Sequence, residues 1–186
     1  MKNLLLAILI IAAQTTQAQW QLQAVVDQQI SCYGNNDGYI HAYVWYGSNV
    51  QFELKGRGYT ATNTDGHFRG LKTGTYTVTA TDAAGTTQTK VLKIDRAYKL
   101  KGKFVTIERP TKGNSDGVLQ IDISGGTANL QPYLVQWWKD GVHLNNHPDQ
   151  NWQTVMDNLS AGKYDVIIED DNGCFWRGSR TLRNKK

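Results

Sequence analysis

Four side chains on one short run carry the most chemistry in this sequence. In Tyr39-Ile40-His41-Ala42-Tyr43-Val44-Trp45 the ring-bearing residues fall on every second position. A strand with that period turns Ile40, Ala42 and Val44 to one face and Tyr39, His41, Tyr43 and Trp45 to the other. Rigid rings in a row give stacking area for sugar rings or for a partner's apolar patch at low entropic cost. A loop or a second domain laid over the row is the competing reading. Trp137-Trp138 must straddle its own strand with one ring inward and one outward. Trp176, on the last periodic stretch, either joins the outward ring in a second patch or packs inside.

Catalytic constellations are sparse. His143 and His147 have the spacing of zinc ligands on a helix, but His-Leu-Asn-Asn-His-Pro-Asp reads as a loop and no Cys or Glu completes a set. Glu169, Asp170 and Asp171 sit at a strand end, where solvated charge explains them. There is no phosphate loop and no Cys-His signature. Asp37 and Asp116 lie in turns whose Asn and Asp oxygens could approach Ca2+, although neither turn has the spaced acids of a dedicated loop. The expectation is a protein without catalytic residues, resident metal or cofactor, with Ca2+ the one ion worth testing.

The elements that hold these residues come from composition and period. Of 186 residues, the first eighteen spell a secretory signal: Lys2, an apolar run from Leu4 to Ala13, and Thr16-Gln17-Ala18 as a small-x-small exit before Gln19. That run is too short to span a bilayer, which needs roughly 20 residues. The net charge of +4 loses one unit with Lys2 and is too weak to argue for nucleic acid. Basic residues cluster at Lys99, Lys101 and Lys103 and again at Arg177, Arg180, Arg183, Lys185 and Lys186, which reads as a solvated edge and tail that blunts aggregation.

The chain repeats itself. Gly34-Asn35-Asn36-Asp37-Gly38 matches Gly113-Asn114-Ser115-Asp116-Gly117, and alternating runs follow both: Ile40, Ala42, Val44 and Leu119, Ile121, Ile123. Leu71, Gly74, Tyr76, Val78, Ala80, Asp82 and Gly85 match Leu159, Gly162, Tyr164, Val166, Ile168, Asp170 and Gly173. The offset grows between the two matches, which puts about nine extra residues into the loop from Asp140 to Asn151 of the second copy. Asp37-Gly38 and Asp116-Gly117 are expected to close tight turns, with each Asp bonding amides two residues on, and Gly74, Gly162, Gly85 and Gly173 to sit at reversals with positive φ. Short strands with turn signals every eight to twelve residues imply an all-β fold of two tandem immunoglobulin-like β-sandwiches over 19–97 and 98–186, joined by a charged linker from Asp95 to Lys103. In the second copy's outer stripe, Val118, Gln120, Asp122 and Ser124, aromatics are absent, so the fold does not require them.

These units resemble the SprB repeat of Bacteroidetes surface proteins, which opens with Ser-Cys-x-Gly-x-x-Asp-Gly and closes with Leu-x-x-Gly-x-Tyr-x-Val-x-x-x-Asp-x-x-Gly-Cys. Here the opening is Ser31 to Gly38, the closing Leu159 to Cys174, and Pro132-Tyr133 through Trp137 is similar to the central strand. The resemblance implies a non-enzymatic adhesion-type module exported to the surface of bacteria with type IX secretion and gliding machinery. It also makes Trp137 the core ring, in the place of Leu54, and Trp138 the exposed one. With two units in place of a long array, an accessory or binding subunit is the expected role, its partner a protein or a cell-surface glycan. A glycan-binding subunit of a nutrient-capture system is the alternative, as is a sorting tail over Asp157 to Lys186. The cell surface, the medium and the periplasm all stay open as locations, as does the oligomeric state.

Thr86 and Thr111 break the cysteine pattern, leaving Cys32 in the first opener and Cys174 in the second closer. If opener and closer pair within a unit, neither unit makes its own staple, and Trp137, Trp152, Tyr164 and Met156 are expected to compensate in the second. Two unpaired buried thiols are the favoured reading. A Cys32–Cys174 bond requires the units to fold back until the Cα atoms lie within about 7 Å, and an intermolecular bond is the third option.

Overall fold

The computed structural model describes residues 20–127, 133–144 and 153–186. The expected signal segment, Pro132, His147 and Trp152 lie outside these residues. Every element is a β-strand. The first half runs β1 (Gln21–Gln28), β2 (Gly38–Trp45), β3 (Gln51–Gly56), β4 (Tyr59–Asn63), β5 (His67–Leu71), β6 (Gly74–Thr81) and β7 (Thr87–Ile94). The second runs β8 (Lys101–Glu108), β9 (Gly117–Ser124), β10 (Leu134–Lys139), β11 (Val142–His143), β12 (Val155–Leu159), β13 (Gly162–Glu169) and β14 (Phe175–Leu182). Each half pairs its strands identically and antiparallel: β1-β2-β5 opposite β4-β3-β6-β7, and β8-β9-β12 opposite β11-β10-β13-β14. These are immunoglobulin-like sandwiches in which the fourth strand pairs with the third and not with the fifth.

The alternation sorts the core as expected. Ile40, Leu54, Tyr76, Val78, Ala80 and Ile94 are buried in the first sandwich; Leu119, Trp137, Tyr164, Val166, Ile168 and Leu182 are their counterparts in the second. The two clusters share no residue. Trp137 is fully buried on the third strand, where antibody domains also keep a Trp. Met156 packs against the same cluster.

The repeated Leu-x-x-Gly-x-Tyr stretch proves to be more than a turn. Tyr76 Oη donates to the Lys72 carbonyl at 2.8 Å and Tyr164 Oη to the Ser160 carbonyl at 2.7 Å. Each is a tyrosine corner, a phenol tied back to the chain entering its strand. Burial pushes both phenols' pKa values up. The sorting-tail stretch, Asp157 to Lys186, supplies β13, β14 and most of β12, with Tyr164 and Leu182 in the core, so its removal would dismantle the second sandwich.

Trp176 is packed, not exposed. Its indole lies against Gly102 of β8 and Gly178 of β14, where a Cβ on Gly102 would come within 2.5 Å of the ring, and it tilts on Phe104 at 6.1 Å. It fills the gap between the edge strands of the two sheets. In the first sandwich the corresponding side chain is Gln88, which bridges the same gap with hydrogen bonds to the Trp20 carbonyl and the Leu22 amide. One position thus closes the edge with polar bonds in one repeat and an aromatic wedge in the other.

Several expectations change. Lys101 and Lys103 belong to β8, with Phe104 turned to the core, so the linker is only 95–100; the lysines hid the alternation. Val142 and His143 form a hairpin strand against Lys139 and Trp138 where a loop was expected. Of the loop from Asp140 to Asn151, to which the extra residues of the second copy are assigned, residues 145–151 lie outside the described ones. Asp37 and Asp116 reach backward: Asp37 accepts from the Ser31 amide (3.1 Å) and hydroxyl, Asp116 from the Thr111 amide and hydroxyl (both 2.7 Å). Left-handed φ falls on Gly34 and Gly113, +92° and +85°, while Gly38 and Gly117 begin strands. Their missing side chains matter for close approach, since a Cβ on Gly117 would stand 2.7 Å from the Leu159 carbonyl oxygen. Gly74 and Gly162 likewise begin strands, and Gly162 does not take positive φ, whereas Gly85 and Gly173 do.

The cysteines are bonded. Cys32 and Cys174 form a disulfide with Cα atoms 5.6 Å apart, which corrects the reading of two free thiols. No fold-back is needed. Antiparallel alternation puts the β1–β2 loop at the end of the first sandwich where β7 finishes, and the β13–β14 hairpin at the end of the second where β8 starts. Abutting ends bring the two sulfurs together, and Asn172 Nδ2 donates to the Ser31 carbonyl at 3.1 Å beside them.

Candidate functional site

The aromatic row lies on the outer face of β1-β2-β5. Strand β2 is central there, so its outward side chains have neighbours on both sides: Val25 and His67 flank His41 in register. Tyr39 and His41 stack with centroids 6.4 Å apart, His41 and Tyr43 are 5.4 Å apart, and Tyr43 meets Trp45 edge-on at 5.8 Å. From β5, His67 stacks on His41 at 4.4 Å and its Nδ1 hydrogen-bonds Tyr39 Oη at 2.5 Å. The Arg69 guanidinium sits 3.9 Å over the Tyr39 ring, and Asp27 of β1 approaches His41 at 3.7 Å.

These contacts divide the row. Tyr39 and His41 are half-buried by their neighbours, while Tyr43 and Trp45 stay open at 37% and 52% exposure, followed by Tyr46 at 83%. Strand β2 runs from the junction toward the free end of the first sandwich, so the open rings lie away from the second sandwich. No described segment covers them. The second copy's stripe is polar, with Gln120 donating to Asp122 at 2.6 Å.

The other candidates separate. Trp138 is half-buried on the outer face of β10-β13-β14, 4.8 Å from His143. It is on a different sandwich from the row, and Trp176 does not join it. Asp37 and Asp116 spend their oxygens on the turn bonds, and the pKa of each is lowered. For Asp37, burial pulls the other way and is outweighed by bonds from Ser31 and Asn35; for Asp116 the Thr111 hydroxyl and amide dominate. Asp170 is buried and accepts from Asn172, Cys174 and Thr127 amides, a structural cap on the closing turn. Among the described residues, no three His, Cys, Asp or Glu side chains gather to hold a metal, and no helix is long and apolar enough to cross a membrane.

Sequence reasoning missed His67, Arg69 and Tyr46 as parts of the surface, along with Tyr33 and Phe175 at the junction. The period-two placing of His67 and Arg69 was visible, but only strand register assigns them to the side of Tyr39.

No protein-family model matches the chain, and no curated protein matches it. Among solved structures, the chain is similar to one on Dscam isoform specificity, at 14% identity over 89% of this chain and 46% of that one, TM-score 0.41. It is also similar to three N-terminal domains of the highly immunogenic outer capsid protein of bacteriophage RB49, at 14% over 89% and 58%, TM-score 0.47. Fibronectin(III)-like modules of Clostridium thermocellum CbhA match at 14% over 88% and 94%, TM-score 0.36. The chain spans about half the length of the first two. The fold class itself rests on the strand order, the two tyrosine corners and Trp137.

Proposed function

We propose that this chain is an exported, non-enzymatic interaction module built of two SprB-like repeats, serving at the bacterial cell surface as a binding or accessory subunit. The observation that carries the reading is the open ring row of the first sandwich, present where the second repeat shows the fold is content with polar residues. A face kept aromatic against the solubility cost of exposed rings marks a contact surface. A disulfide between the repeats supports an oxidising compartment. The ligand lies lengthwise on β2, rings stacked on Tyr43 and Trp45, with His41, His67 and Arg69 supplying polar contacts.

The test is binding of labelled full-length protein to a glycan array and to intact bacterial surfaces, beside Trp45→Ala and Tyr43→Ala. Both positions are exposed, so the fold survives the change. Binding reduced at least about tenfold by either variant supports the reading; binding that neither variant alters refutes it.

A further inference from the structure

The abutting ends of the two sandwiches enclose a cleft of about 540 Å³ that no part of the reading above uses. Its walls come from both repeats: Tyr33 from the β1–β2 loop, Lys99 from the linker, and Phe175, Trp176 and Arg177 from β14, with the disulfide between them. Tyr33 and Phe175 are each 63% exposed, so both rings present open faces. A cation stands over each ring: Lys99 Nζ is 5.8 Å from the Tyr33 centroid and the Arg177 guanidinium 4.9 Å from that of Phe175. Among the described residues neither cation has a carboxylate partner, and no Asp or Glu lines the cleft. The carboxylates nearest in register are Glu169, opposite Phe175, and Asp165, engaged by Lys163.

Arg177 also lines a second groove, of about 350 Å³, with Trp138, Asp165, Ile167 and Ser179 on the outer face of β10-β13-β14, where the Asp165 carboxylate is taken up by Lys163 and the Ser179 hydroxyl. The two concavities share Arg177 as a wall and together make a candidate track from the junction onto the second sandwich, with rings on either side of the guanidinium. The wall turns satisfy their own backbone: Asn35 donates to Cys32, Gly173 to Asp170 and Asp170 to Cys174. A peptide seeking a strand edge finds none in these turns. What the cleft and groove offer is exposed rings, two of them with a cation over the ring that has no carboxylate partner among the described residues.

We propose that this track binds an acidic polysaccharide, sugar rings stacking on Tyr33, Phe175 and Trp138 while carboxylate or sulfate groups pair with Lys99 and Arg177. Sugar rings expose apolar C–H faces and carry their charges at the edge, which suits exposed aromatic rings with a cation within reach of each. The site is distinct from the β2 row and does not depend on it.

Titration calorimetry of the full, oxidised chain tests this with hexagalacturonate, a heparin-derived hexasaccharide, a neutral glucose hexasaccharide and hexaglutamate. The expected result is binding of at least one acidic sugar, about tenfold or more tighter than the neutral one, weakened by salt. Lys99→Ala and Arg177→Ala, both on exposed side chains, each lower that affinity about fivefold or more, while Val91→Ala, exposed on β7 and part of neither surface, leaves it unchanged. Carboxylated against sulfated sugar identifies the acidic group. Failure of both acidic sugars, equal affinity for the neutral one, preference for hexaglutamate, or indifference to Arg177→Ala overturns the proposal and leaves the β2 reading standing.

Discussion

Removing the staple between the repeats, with Cys32→Ser and Cys174→Ser together, should weaken both sandwiches. Consider the second sandwich unfolding while the first stays folded. Its chain is held at the linker near Leu100 and again at Cys174, so the unfolded segment is a closed loop of about 75 residues, which the chain-entropy model values at about 4.5 kcal/mol. The first sandwich is held the same way, between Cys32 and the linker. This is an upper figure, because the reduced native protein recovers swivelling freedom about the linker; about 2–4 kcal/mol is expected in each. With a urea m-value of about 1–2 kcal/mol/M for domains of this size, midpoints fall by about 1–4 M. Tryptophan fluorescence reads both units, since Trp20 reports the first core and Trp137 the second. If the double variant unfolds within about 0.5 kcal/mol of the parent, the bond fixes only the angle between the sandwiches and the loop argument is wrong.

Two other outcomes follow from the shared turns. Tyr76→Phe and Tyr164→Phe each remove one phenol donor from a carbonyl, and each should cost about 1–2 kcal/mol in its own sandwich by urea titration; a neutral result in either denies the corner a stabilising role. Asp37, Asp82 and Asp116 have pKa values held below the ordinary carboxylate range, Asp82 chiefly by the Thr86 amide. A folded pKa below the unfolded one stabilises above the unfolded value and is lost as pH falls through the folded one, so stability should decline below about pH 4. Circular dichroism melts should show that decline softened in Asp37→Asn; an unchanged acid limb would contradict it.

The sandwiches were legible because their signals are local. Period two names Ile40 and Leu119 as core residues, and repetition of the closing stretch shows that one plan serves twice. What escaped the sequence depends on partners far along the chain. Cys32 and Cys174 are separated by 142 positions, and their meeting follows from how one sandwich ends and the next begins. The same holds for His67 and Arg69, which enter the surface only through the β2–β5 register. Asp37 shows a subtler limit: its turn was visible, but the bond back to Ser31 belongs to the loop's closure and not to the residues beside it. Trp176 could be placed only when Gly102, on another strand, was seen to lack the carbon that would exclude it.

Because the opener of one repeat bonds the closer of the next, each repeat of this design has two coupling valences, one at either end. Thr86 and Thr111 occupy the two that point outward, toward where a preceding and a following repeat would stand. Oxygen cannot make the link that sulfur makes, and the Thr111 hydroxyl is already committed to Asp116. The two repeats are therefore joined once, where they meet, and oxidation can add no further link through Thr86 or Thr111.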